Sequence, residues 1–316
     1  MPHAIPRIAL APGLDVSRLV TGLWQVADME RDGRTLDLDA AAAAMRPYVD
    51  GGATTFDMAD HYGSAEDITG RYVARFGTAG AQFLTKWVPK PGAMTKDDVR
   101  DAVGRACTRM GLDRIPLLQF HAWRYADPSW LDALWWLQEL VDEGLVGAIG
   151  VTNFDTAHLR VATASGIRLA SNQVSCSLLD RRALGAMRDY CRAHGIGLLA
   201  YGTVAGGLLT ERWLGQPDPA GRTDATWSQM KYRRFVEQAG GWDALQALLQ
   251  VVQGVARKHD ASMANVATRW ILDHEGVAAV IVGARLGERV HLDDNARTFA
   301  VALDDDDRAA LARATA

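Results

Sequence analysis

Ala53-Thr54-Thr55-Phe56-Asp57, Gln82-Phe83-Leu84-Thr85-Lys86 and Pro116-Leu117-Leu118-Gln119-Phe120-His121 follow one another along the chain, each a short apolar run ending on a residue that can hold or move a proton. Tyr62 lies just beyond the first of them. The layout recurs downstream: Gly147-Ala148-Ile149-Gly150-Val151 leads into Thr152-Asn153, Leu169-Ala170-Ser171 into Asn172-Gln173, and Ile196-Gly197-Leu198-Leu199-Ala200 into Tyr201. Runs of this length, apolar on both faces, read as parallel strands, and in a closed parallel sheet the residues at their carboxyl ends share one rim. An acid, a phenol, an amine, an imidazole, two amides and an aromatic face are therefore expected to converge there.

Helical periodicity fills the spaces between the runs. Apolar residues at threes and fours predict helices over 38–50, 66–75, 96–110, 129–143, 156–164, 181–194 and 242–259, several stopped by a glycine such as Gly111, Gly144 or Gly195. With Leu19-Val20-Thr21 as the first strand and Val277 to Val282 as the last, eight strands alternate with helices, enough for closure. Arg7-Ile8-Ala9-Leu10, a Pro12-Gly13 turn and Asp15-Val16 read as a hairpin over the closed end. The expectation is an α/β fold: one domain over residues 1–316, a (β/α)8 TIM barrel with an N-terminal β-hairpin cap and long βα loops. The loops are Gln25 to Asp37, a polar insert, and Gly202 to Gly241; both belong to the functional rim as walls of a substrate pocket.

The bulk composition excludes several functions. In 316 residues, 48% hydrophobic and 23% charged, no apolar run approaches the roughly 20 residues that span a bilayer. A net charge of −4 gives no general basic field for nucleic acid. Cys107, Cys176 and Cys191 have no CxxC spacing and cannot all pair, which favours buried thiols in a reducing compartment. The N-terminus lacks the basic-then-apolar order of a signal peptide, so a cytoplasmic protein is expected. Eight histidines without HxH or HExxH spacing predict no metal site.

The rim residues suit reversible carbonyl reduction. A phenol is a poor acid near neutral pH, but an adjacent ammonium favours the phenolate and a carboxylate holds that ammonium in place, so Asp57, Tyr62 and Lys86 together make a tyrosine able to give and take a proton. His121, with Phe120, Ala122 and Trp123 as neighbours, is expected to stay neutral and donate to a substrate oxygen. Taken singly, each of these residues reads more readily as part of a surface ion pair, a core tyrosine or a structural histidine than as a catalyst. Their shared rim argues against that. Trp24, Trp87, Trp123, Tyr125 and Trp227 are expected to line a flat, apolar pocket, with Tyr232 near them, for a small-molecule carbonyl substrate.

These residues carry a family resemblance. Phe56-Asp57-Met58-Ala59-Asp60-His61-Tyr62-Gly63-Ser64-Ala65-Glu66 resembles the aldo-keto reductase signature, and Leu84-Thr85-Lys86 and Leu118-Gln119-Phe120-His121 resemble that family's lysine and histidine strands. Gly150-Val151-Thr152-Asn153-Phe154, Ser171-Asn172-Gln173-Val174, and Ala200-Tyr201-Gly202 through Gly206-Gly207-Leu208-Leu209 are similar to further elements of it, in order, from about Leu19 to Asn295. The resemblance implies a barrel that uses NADPH or NADH. By position Tyr201 would stack on nicotinamide, Thr152, Asn153 and Gln173 would hold its carboxamide, and Gly22, Leu23 and Trp24 would border its ribose. Gly202, Gly207 and Leu208 belong to the loop that follows Tyr201. Gly283, Arg285, Arg289, Asp294 and Asn295 match the phosphate segment, which runs two residues longer than usual, so Arg285, Arg289 and His291 all compete for the adenosine phosphates. Two arginines there favour NADPH. Two other readings share the residues: a redox-sensing regulatory subunit like the potassium-channel β-subunits, and a lyase or isomerase using Lys86 as a Schiff base.

Overall fold

Strand runs and helical periodicity close into one barrel. The protein was studied as a computed structural model that describes residues 4–219 and 227–314, the side chains of 227–229 excepted. Eight parallel strands, β3 (Leu19–Gly22), β4 (Thr55–Asp57), β5 (Gln82–Trp87), β6 (Ile115–Phe120), β7 (Val146–Thr152), β8 (Leu169–Ser175), β9 (Gly197–Tyr201) and β10 (Val277–Gly283), pair in chain order, and β10 returns to β3. Two strands precede them. β1 (Arg7–Ala11) and β2 (Leu14–Ser17) form an antiparallel hairpin turning at Gly13, whose φ of 73° suits glycine.

The hairpin is a plug. Its Leu10, Leu14 and Val16 pack with Val20, Leu84, Leu117, Leu199 and Ile281, the inward residues of the barrel. A side chain at Gly197, the first residue of β9, would meet Leu10, which fixes the hairpin at the amino-terminal end of the strands. Arg18 ties that end to β10, donating to the carbonyls of Ala278 and Val277. A larger cluster fills the layer between strands and helices, with Phe56 stacked on Phe83 at 5.8 Å. With its base filled, the barrel is open only at the carboxyl ends of its strands.

The helices depart from expectation where backbone chemistry intervenes. The stretch 38–50 splits into Leu38–Ala43 and Arg46–Asp50 because Pro47 enters the first turn of the second piece and cannot donate back into the first. Residues 182–184 form a tight turn before the helix Ala186–Ala193. The insert 25–37 is not mere loop: Trp24–Arg31 is helical, burying Val26, Ala27 and Met29, and its polar residues concealed that face from a reading by composition. Within 202–241 the helix Trp227–Gln238 lies over the rim, sending Tyr232, Phe235 and Val236 into the core. Among the described residues no helix is long and apolar enough to cross a membrane.

Candidate active site

Strand alternation decides which residues face the barrel axis. Along β5, Lys86 points inward and is 1% exposed, whereas Trp87 turns outward onto Phe120 at 5.5 Å. Trp87 is thus a core residue between strands and helices and not a wall of the substrate pocket. The same alternation turns Gln119 of β6 inward, beside Lys86 in register. Its polarity inside an apolar strand was the available signal, and the sequence reading assigned it no role.

Asp57 is the hub of this interior. Its Oδ2 accepts from Lys86 Nζ at 2.5 Å, and its Oδ1 accepts from the amide nitrogens of Gln119 and Gln173, each at 2.8 Å. Gln173 donates also to Gln119 Oε1 at 2.8 Å, and Lys86 to the carbonyl of Met58 at 2.8 Å. A buried ion pair of this kind is sustained only when its remaining donors and acceptors are satisfied, as here. Gln173, expected to hold a carboxamide, has its nitrogen committed to Asp57 and Gln119.

Tyr62 caps the pair. Lys86 Nζ lies 4.9 Å from its ring centroid, and Trp24 and His61 pack edge-on against it at 5.0 and 4.8 Å. Its acidity differs from the sequence expectation: burial first, then the Asp57 carboxylate, push the phenol well above its ordinary range. The reason is that burial penalises the phenolate, and the nearby Asp57 carboxylate adds its repulsion. Burial lowers Lys86 itself, while Asp57 opposes that shift. His121 is neutral. Burial, then Lys86, His61 and Lys231, lower it to about 3, so its ring is neutral, and its Nδ1 is buried with no hydrogen-bond partner.

Asp57, Tyr62, His61, His121 and Gln173 line a cleft of about 510 Å³, while Lys86 and Gln119 lie buried behind its wall. Its walls include Gly22, Trp24, Asp57, Tyr62, His121, Trp123, Thr152, Asn153, Gln173, Tyr201, Gly202, Gly283 and Arg285 from the sequence reading. They also include Tyr232, expected beside the pocket aromatics, and Gln25, Asp28, His61 and Lys231, of which the sequence named none singly although it gave the loops 25–37 and 202–241 to the wall. Helices hidden within apparent loops supply four of these, and His61 was passed over between Asp57 and Tyr62. Asn153 adopts φ 56°, a strained conformation that asparagine tolerates, and its Oδ1 accepts from the Tyr201 hydroxyl at 3.1 Å.

Several expected residues lie elsewhere. Leu23 and Leu208 are buried in the core, and among the described residues the cleft wall does not include Gly207, Arg289, Asp294 or Asn295. Arg289 is exposed, and its carbonyl accepts from the Tyr48 hydroxyl at 3.5 Å. Asp294 uses its carbonyl to cap Asn265. Tyr125 packs among His158, Phe154 and Trp130, so it belongs to the outer shell and not to the pocket. The side chain of Trp227 falls outside the described residues.

Polar atoms facing the cleft lack partners. Thr152 Oγ1, His121 Nδ1 and Gln25 Oε1 are buried and unbonded, as expected of groups that bond to a ligand. Arg285 lines the cleft 3.5 Å from Glu288, and Glu288 also pairs with Arg34. Among the described residues no cluster of His, Cys, Asp and Glu could hold a metal ion.

The sequence profile of the aldo/keto reductase family matches residues 18–316. The NADH-specific methylglyoxal reductase of Escherichia coli is 24% identical, with 93% of each chain covered. Flagellar radial spoke protein 5 of Chlamydomonas reinhardtii is 37% identical over 130 residues, 40% of this chain and only 24% of that protein. Among solved structures, the glycerol dehydrogenase AKR11B4 of Gluconobacter oxydans superposes with a TM-score of 0.78 at 24% identity, covering 99% of this chain and 94% of that one. That last likeness concerns the fold.

Proposed function

Because the chain belongs to the aldo/keto reductase family, we propose that it is an NADPH-dependent oxidoreductase that reduces an aldehyde or ketone to an alcohol. The observation that supports this most is the buried Lys86–Asp57 pair beneath a neutral phenol that opens on the cleft. When bound, the nicotinamide would supply a hydride, two electrons with one hydrogen nucleus, to the carbonyl carbon. Tyr62 supplies the proton to the carbonyl oxygen, and its neutral state at physiological pH is the state such a donor needs. As negative charge grows on the phenol oxygen, Lys86 answers it, and Asp57, held by Gln119 and Gln173, keeps Lys86 in place. His121, neutral, donates to the same oxygen and orients it.

The residues present fit the cofactor. Tyr201 offers a ring face, the unbonded Thr152 Oγ1 and the nearby Asn153 offer groups for the carboxamide, and Gln173 can contribute its oxygen. Arg285 is the cleft's candidate for a phosphate and the reason for preferring NADPH. Glu288 beside it supports a second reading, NADH, since a carboxylate repels a 2′-phosphate and accepts from a 2′-hydroxyl. Titration of both cofactors, followed by a carbonyl screen that reads absorbance of the reduced cofactor, tests the proposal. Tight cofactor binding without turnover of any carbonyl would favour the redox-sensing subunit.

A further inference from the structure

Lys231 stands on the helix Trp227–Gln238, which no strand dictates, and it lines the same cleft as Tyr62 and His121. Its Nζ lies 4.5 Å from the Tyr201 ring centroid and 5.6 Å from that of Tyr232. The helix is seated firmly enough to fix it: Tyr232, Phe235 and Val236 are buried, and Tyr232 rests against Gly202. A side chain at Gly202 would meet the Tyr232 hydroxyl at 2.3 Å, so this glycine is what lets the helix approach the rim.

The other cation at the centre, Lys86, is answered by Asp57, and Arg285 is answered by Glu288. Lys231 differs. Although the residue keeps a solvent-exposed face, crowding of its ammonium, then Arg234 and Lys86, lower its pKa to about 8, with Asp28 as the counterweight. Its field reaches His121. An ammonium in such surroundings gains when an anion enters beside it. The aromatic walls, Trp24 and a Trp123 that is 67% exposed, suit a flat body between that anion and the carbonyl.

Building on the proposed reductase activity, we propose that Lys231 is a specificity residue that selects carbonyl substrates bearing a carboxylate, the acid seated on its ammonium while the carbonyl faces Tyr62 and His121. The charge-assisted hydrogen bond it makes is worth about tenfold or more in KM. The preference has a pH signature: Lys231 is protonated below about 8, so selectivity for the acid holds at pH 7 and fades as pH rises to 9. The groups facing it are Arg234 on its own helix, Lys86, His121 and Asp28 across the cleft, and the Tyr201 and Tyr232 phenols.

The test uses 4-carboxybenzaldehyde and its methyl ester, the second uncharged and larger by one methyl group, with saturating cofactor. Wild type should show the lower KM for the acid, Lys231→Met should raise that KM about tenfold with little change for the ester, and Lys231→Arg should restore it. Equal KM values for acid and ester in wild type, or an equal rise for both in Lys231→Met, would overturn the assignment. So would an acid preference that survives in Lys231→Met while cofactor affinity drops, since the ammonium would then serve the cofactor phosphates. Binding of benzoate against benzamide, read by tryptophan fluorescence, keeps the two proposals separable. If no carbonyl of the screen is reduced, the reductase reading fails, and the anion site stands only if benzoate binds wild type more tightly than Lys231→Met.

Discussion

Asp57 gathers three donors, and the behaviour of each neighbouring residue follows from that. Because burial, and then the Asp57 carboxylate, disfavour the phenolate, Tyr62 stays a neutral acid, and the proposed proton transfer rests on that hydroxyl. Tyr62→Phe is expected to lower kcat by roughly 10²-fold or more while cofactor affinity stays near wild type, as loss of general acid catalysis would. Stopped-flow turnover and cofactor titration on one preparation measure both, and unchanged turnover would remove Tyr62 from the chemistry. His121 gives a stability prediction. Its folded pKa, about 3, lies below the usual histidine value, so its contribution is fully present above about 6.5 and is lost as pH falls toward 3, where the unfolded chain binds a proton the folded one refuses. Between pH 6.5 and 5 this amounts to about 2 kcal/mol of lost stability. His121→Asn should flatten that part of the profile in urea unfolding series at the two pH values. A slope unchanged in the variant would assign the acid sensitivity to other groups.

At the scale of elements, the two long connections matter because they are structured. The helix Trp24–Arg31 brings Gln25 and Asp28 to the cleft, and Trp227–Gln238 brings Lys231 and Tyr232. Gly202 controls the second approach. Gly202→Ala, at φ +74° and against the Tyr232 hydroxyl, should destabilise the protein by about 1 to 3 kcal/mol and weaken cofactor binding, because the displaced helix no longer borders Tyr201. Thermal unfolding with and without NADPH would show it, and a variant with wild-type affinity would mean that the helix is indifferent to the cofactor. The segment after β10 separates its two arginines. Arg285 lines the cleft and Arg289 is exposed, so Arg285→Ala should weaken NADPH at least about tenfold and Arg289→Ala only slightly. Equal losses of NADPH and NADH in Arg285→Ala would show that the guanidinium does not read the 2′-phosphate.

Over the whole molecule, stability and site occupy opposite ends of the barrel. The hairpin plug fills the base through Leu10, Leu14 and Val16, far from the reacting rim. Leu14→Ala should cost about 2 to 5 kcal/mol in denaturant unfolding and leave kcat unchanged, as a buried cavity distant from the cleft would. A fall in kcat at full occupancy of the folded state would show that the base and rim are coupled. The eight strands, their order and the end at which Asp57, Lys86 and His121 gather were legible in the sequence, because strand and helix periods are local properties of the chain and parallel connections leave few topologies open. The family signature was legible for the same reason. What only the tertiary structure decided is which neighbour of each such residue faces inward, with Gln119 turned into the barrel and Trp87 out of it. It also decided that burial and the Asp57 carboxylate hold Tyr62 neutral, and that a helix within a polar loop brings Lys231 over Tyr201. Those outcomes depend on distances between residues remote in the chain, and burial and Coulomb energies at a few ångströms change with each of them.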